Sequence, residues 1–224
     1  KQLADLKARM EIDEKIKLVA PEIKALIDRS SKILLACHPR ADFDSVGSVL
    51  ALSQVLRTLG KKVTMIAGDT PLPKFAVFYP GSNEILPQNF FQTDLTQFYL
   101  LIASDMSARS RLSELGVVQF PPNLKTIVID HHNNGDSFGQ INLAVSTAAA
   151  TGEILFQLFV SWEISWSAEI ALCLLLALYG DTKEEIDATE GDIRGILDAK
   201  LVYTKPALFQ QEQGFRSCLP IGTD

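Results

Sequence analysis

Three short runs without polar alternation, each followed by ionisable residues, constrain this chain more than any other feature. Ile33-Leu34-Leu35-Ala36-Cys37 runs into His38, Phe98-Tyr99-Leu100-Leu101-Ile102 leads to Asp105, and Thr126-Ile127-Val128-Ile129 meets Asp130-His131-His132. A strand with one wet face alternates apolar and polar residues, so runs without alternation predict strands covered on both faces. Helical patterns separate them. Val49, Leu52, Leu56 and Leu59 recur at spacings of three and four and predict a helix over 46–59, stopped by Gly60, with a further strand over 62–67. A short helix is expected over 109–115, and longer ones over 147–160, 168–179 and 191–199. This alternation predicts an α/β fold: a doubly wound, mainly parallel sheet of about five strands with helices on both faces. Residues 1–30 read as a helical extension with an apolar stripe of Leu18, Ile23, Leu26 and Ile27, and Pro21 is expected to divide it into two helices.

Composition narrows the function. With 47% hydrophobic residues in 224, the chain can bury a full core. Its 21 basic against 27 acidic residues, net −6, oppose binding to duplex nucleic acid through a basic surface. A local anion site built from metals or backbone N–H groups stays open. The apolar run 170–179 is too short to cross a bilayer, and the opening residues do not read as a secretory leader. Three widely spaced cysteines, Cys37, Cys173 and Cys218, without a CxxC pair, suggest reduced thiols and a cytoplasmic protein.

All three histidines of the chain, His38, His131 and His132, fall just past a strand end, beside Asp42, Asp44 and Asp130. Asp105 ends a third strand and Asp181 follows the apolar helix pattern. In an open parallel sheet, ligands bind at this edge. Singly, each residue has an ordinary explanation: a capping histidine, turn aspartates ahead of a helix with Ser45 as N-cap, a loop aspartate at 181. Jointly, carboxylates sharing a crevice repel one another unless divalent cations lie between them. The mixed imidazole and carboxylate set suits Mn²⁺, Fe²⁺, Co²⁺ or Zn²⁺ better than Mg²⁺, and the lack of cysteine in the clusters opposes a structural zinc site.

His38-x-x-x-Asp42-x-Asp44-x-x-Gly47-Ser48, then Asp105 with Arg111-Leu112, Asp130-His131-His132 and Asp181-Thr182, in this order, resembles the DHH phosphoesterase superfamily over residues 30–200. Asn142 and Gly152-Glu153 extend the likeness. The resemblance implies two Mn²⁺ ions, with Mg²⁺, Co²⁺ or Fe²⁺ as substitutes. One would be held by His38, Asp42 and Asp105, the other by Asp44, Asp105, His131 and Asp181, with Asp105 as a bridging catalytic residue. It also implies that His132 faces the substrate phosphate and that Asp130 supports the histidines from behind. The ions would activate water for attack on phosphorus. Arg40 and Arg109 are candidate phosphate clamps, as is Lys183, although each also fits solvated surface charge. Ser48 with Gly47 could present N–H groups to phosphate, or simply allow close helix packing.

The departures from the family pattern are Ala41 in place of proline and Lys183-Glu184-Glu185 after Asp181-Thr182. The Gly-rich phosphate motif of a second domain is missing, since the sequence has no Gly-Gly pair. The expected organisation is therefore an extension (1–30), a catalytic metal-binding domain (31–200) and a tail (201–224) leading toward a substrate-binding domain outside this sequence. The expected activity is hydrolysis of phosphodiester or phosphomonoester bonds in short nucleotides: oligoribonucleotide, pAp or cyclic dinucleotide. Pyrophosphate fits less well, and oligomeric state stays open. Two alternatives are a haloacid-dehalogenase-like phosphatase with Asp42 as nucleophile, which leaves the histidines unexplained, and a noncatalytic nucleotide- or metal-binding regulatory module.

Overall fold

A computed structural model describes residues 2–132 and 135–181. Strands β1 (Lys32–Ala36), β2 (Lys62–Ile66), β3 (Leu100–Ser104), β4 (Lys125–Asp130) and β5 (Ile141–Ala144) form one sheet of order β2-β1-β3-β4-β5. All neighbours pair in parallel. The α/β class and the five-stranded parallel sheet are as expected. β5 was not singled out by pattern, because a four-residue segment carrying Asn142 has no apolar run to detect. The α-helices are α1 (Gln2–Arg29), α2 (Phe43–Thr58), α3 (Thr151–Ser161) and α4 (Ala168–Asp181).

Right-handed crossovers explain how the faces are covered. The step from β1 to β2 runs one way across the sheet, and the steps from β2 through β5 run the other, so their connections lie on opposite faces. α2 covers the first face together with α1, α3 and α4, packing on Ile33, Leu35, Ile102, Ile127 and Ile129. The second face, with Leu34, Leu101, Ala103 and Val128, is closed by Phe90, Leu95, Met106, Leu112, Val118 and Leu124. These come from the β2–β3 and β3–β4 connections. Among the described residues that face carries 3₁₀ turns and loop rather than α-helices. The helix expected over 109–115 is a single 3₁₀ turn, Arg109–Arg111, because Gly116 and Pro121-Pro122 interrupt the segment.

Two expectations for α1 need correction. It runs unbroken through Pro21, which sits on the exposed side, where losing one N–H donor leaves the packed face intact. Its buried stripe is Ile12, Ile16, Ala20, Ile23 and Ile27, while Leu18 is 76% exposed. Tethers from the body select that stripe: Lys15 Nζ donates to the Ala144 carbonyl, and Trp162 Nε1 donates to the carbonyl of Ala20.

α2 starts three residues earlier than the pattern suggested. Asp42, not Ser45, is its N-cap and accepts from Ser45 N at 2.9 Å. Gly47 owes its place to packing, because a Cβ there would lie 2.6 Å from the Cys173 carbonyl oxygen on α4. Gly152 plays the same part for α3, where a Cβ would meet the Ala177 Cβ at 2.7 Å. The helix expected over 191–199, the tail 201–224, Lys183 and Cys218 lie outside the described residues.

Candidate metal centre

The carboxyl edge of the sheet gathers the expected residues where the strand order reverses, between β1 and β3. His38 follows β1, and Asp42 and Asp44 open α2. Asp105 directly follows β3, its N–H still bonded to the Ile129 carbonyl at 2.9 Å. Its backbone then turns into the left-handed region at φ 61. Aspartate tolerates that conformation better than most residues, and the turn stops the side chain from following the strand's alternation. Asp130 is the last residue of β4, and His131 and His132 follow it.

Side chains from these separate elements meet. His38 Nε2 lies 3.2 Å from Asp105 Oδ2 and 3.6 Å from Asp42 Oδ2. His131 Nε2 lies 3.8 Å from both Asp44 Oδ2 and Asp105 Oδ1. His132 Nδ1 lies 2.7 Å from Asp130 Oδ1 and 3.4 Å from Asp105 Oδ1. Asp105 therefore faces all three imidazoles and is 1% exposed. Its Oδ2 and His38 Nε2 are both buried without a well-formed hydrogen bond. Two groups of potential ligand atoms, His38–Asp42–Asp105 and Asp105–Asp130–His131–His132, are each compact enough to surround one ion. Convergent buried donors with unmet polar atoms are costly without a partner, and a divalent cation fits them.

The protonation states follow from the crowding. Burial disfavours the His38 cation, but Asp105 and Asp42, helped by the Pro39 carbonyl, outweigh it and raise the pKa to about 10. Asp105 and then Asp130 raise His132 to about 10 against the opposing effect of its burial. Burial pushes Asp42 upward, yet His38, the Ser45 N–H and the charge of Arg111 bring it down to about 2. Asp130 is likewise lowered to about 2 against its own burial by His132, through its ring and its N–H, and by Ser107. Without a cation, protonated His38 and His132 offset the neighbouring carboxylates.

Not every expected residue reaches the site as expected. Ser48 is fully buried beneath Asp44, to which its hydroxyl donates at 2.9 Å, so it holds a carboxylate and does not face phosphate. Arg40 pairs with Glu114 at the surface. Arg109 lies over the Phe120 ring at 4.5 Å from its centroid, and its backbone N–H donates to Asp136, so it braces a loop. Asp181 is the last residue of α4, and the position of its side chain is outside the description. Asp42 caps a helix six residues beyond β1, which removes the dehalogenase-like alternative, since that chemistry needs its nucleophile at the strand end.

Reading the sequence missed the roles of Thr151 and Gly152, whose N–H groups donate to Asp44, and of Ser107, whose N–H donates to Asp130. Backbone donors carry no residue-type signature. Arg111, a motif residue in the sequence, acts through its charge on Asp42.

A parallel α/β domain with an imidazole–carboxylate cluster at its switch point is the class that fold and site define. The model described as "DHH family, N-terminal domain" matches residues 32–178, and the chain belongs to the DHH family. It is 32% identical over 170 residues to the bifunctional oligoribonuclease and PAP phosphatase NrnA of Thermus thermophilus, covering 75% of this chain and 48% of that protein. Its identity to the NrnA of Bacillus subtilis is 25% over 166 residues, covering 72% and 49%. A probable manganese-dependent inorganic pyrophosphatase of Enterococcus faecalis is 21% identical over 169 residues, covering 70% and 53%. The chain thus spans about half the length of the curated relatives it matches. The crystal structure of an exopolyphosphatase-related protein from Bacteroides fragilis shares the fold, with a TM-score of 0.76 at 23% identity, covering 90% of this chain and 61% of that one. No helix among the described residues is long and apolar enough to cross a membrane.

Proposed function

We propose that this chain carries, in residues 31–200, the catalytic domain of a metal-dependent phosphoesterase that hydrolyses phosphodiester or phosphomonoester bonds of short nucleotides. The observation that carries this reading is the convergence of His38, Asp42, Asp105 and His131, with Asp105 Oδ2 and His38 Nε2 buried without a well-formed hydrogen bond. The likeness to oligoribonuclease and PAP phosphatases supports the nucleotide class: an oligoribonucleotide, pAp or a cyclic dinucleotide.

His38, Asp42 and Asp105 would hold one divalent ion, and Asp44, Asp105, His131 and Asp181 a second, with Mn²⁺ as the preferred metal. When bound, the ions supply Lewis acidity toward water and a phosphoryl oxygen. The protein's own contribution is positional. Asp105 belongs to both sets and fixes their separation. Asp130 grips His132 through ring and backbone at 2.7 and 3.0 Å and so fixes the orientation of the imidazole. His132, with a third of its side chain exposed, is open to a ligand, and in its protonated form it donates to a nonbridging phosphate oxygen. Asp42, at 46% side-chain exposure, forms the open wall of the site.

Turnover of bis-p-nitrophenyl phosphate by the 224-residue chain with added Mn²⁺ tests the chemistry, and a panel of pAp, dinucleotide, cyclic dinucleotide and pyrophosphate tests the class. Metal-dependent release of nitrophenol and preference for a nucleotide are expected. Metal binding without turnover of any of these would favour the noncatalytic binding module.

A further inference from the structure

The Asp44 carboxylate, fully buried, receives donors from two helices. The Ser48 hydroxyl reaches Oδ1 at 2.9 Å, Gly152 N reaches the same oxygen at 3.0 Å, and Thr151 N reaches Oδ2 at 2.6 Å. Oδ2 is also the oxygen that faces His131. Thr151 extends further, with its hydroxyl 3.5 Å from Asp105 Oδ1. That oxygen is the one approached by both His131 and His132. Ala150 occupies the N-cap of α3 and gives no side-chain cap, so the first N–H groups of that helix have no partner of their own. They are spent on a carboxylate brought by α2.

We propose that Thr151 and Ser48 are positioning residues for the cation subsite formed by Asp44, Asp105 and His131. Ser48 and the start of α3 fix the Asp44 carboxylate in one orientation with Oδ2 toward His131, and Thr151 couples that carboxylate to Asp105. Ser48 reaches only Asp44 through the bonds described, and Thr151 reaches the shared Asp105 at Oδ1 rather than at the Oδ2 that faces His38, so the two subsites differ in what supports them. The inference rests on the metal-centre reading above and adds that one of its halves depends on two hydroxyl-bearing residues that do not touch the ion. Groups that orient metal ligands in this way typically change affinity by about 10–100-fold when removed.

The test is calorimetric titration of Mn²⁺ into the full chain, with electron paramagnetic resonance to separate a coupled ion pair from an isolated ion. The parent is expected to take up two ions. Ser48→Ala should keep one at parental affinity and weaken the other by about 10–100-fold, with loss of the coupled signal at limiting metal. Thr151→Val should do the same, and Thr151→Ser, which restores the hydroxyl, should recover the parental isotherm. Circular dichroism in chelator confirms that each variant is folded, and the Val/Ser comparison at 151 stands independently of Ser48→Ala. Parental affinity for both ions in Ser48→Ala and Thr151→Val would overturn the proposal while leaving the metal centre intact. A parent chain that binds no Mn²⁺ would overturn the metal-centre reading, and this inference with it.

Discussion

Asp105 shows how much one position can carry. A strand end, a left-handed backbone and near-complete burial leave its two oxygens facing three imidazoles. Asp105→Asn keeps the shape but removes the charge, and both Mn²⁺ uptake and turnover should fall by at least about 100-fold, as measured by metal content and phosphodiester hydrolysis. His132→Gln should separate the two effects. Metal content should stay near parental while turnover falls by about 10²–10⁴, the range for losing a positioned proton donor.

The pKa shifts have a sign that melting curves can check. In the metal-free chain, His38 and His132, raised from 6.5 to about 10, add stability that is complete below pH 6.5 and lost as pH rises through about 10. Asp42 and Asp130, lowered from 3.8 to about 2, add stability present above pH 3.8 and lost as pH falls through about 2. With chelator, the contribution of these groups is greatest between the two unshifted values. With Mn²⁺, which needs a neutral His38 imidazole as ligand, the optimum moves to higher pH. An unchanged optimum would contradict the assignment of His38 as a metal ligand.

At the scale of elements, the site depends on how closely helices approach. Gly47 and Gly152 remove the Cβ atoms that would hold α2 and α3 off α4, and Asp44 and Thr151 are their near neighbours in sequence. Gly47→Ala must displace a backbone carbonyl rather than a flexible side chain. A loss of about 1–3 kcal/mol in unfolding free energy is expected from chemical denaturation, the range for overpacking a well-filled interface. Mn²⁺ affinity should fall with it, because Asp44 is on the helix that moves. Periodicity located α2 and α4 well, but the caps were harder to place: Asp42 and Ser45 both suit an N-cap by type, and only the chain's path after β1 distinguishes them. Pro21 misled for a related reason, since its cost depends on which side of α1 faces the body.

For the molecule as a whole, the sheet collects at one edge charged groups that could hold a divalent cation. Saturating Mn²⁺ should therefore raise the melting temperature, adding about 2.7 kcal/mol of stability per ion at a hundredfold excess over its dissociation constant, and chelator should reverse it. A melting curve indifferent to Mn²⁺ would contradict a metal centre in the folded chain.

The apolar runs, the order of the motifs and the residue types at the strand ends were readable along the chain, because burial on both faces and metal affinity each demand particular side chains. From them followed the α/β class, the parallel sheet and the family likeness. Three-dimensional packing settled the rest: which face carries α-helices, that Ser48 lies under Asp44, that Arg40 pairs with Glu114 and Arg109 lies over Phe120, and that α3 points its first N–H groups at a carboxylate 107 positions earlier. A backbone N–H is the same in every residue but proline, so its role depends on where it is placed and leaves no mark in the order of side chains.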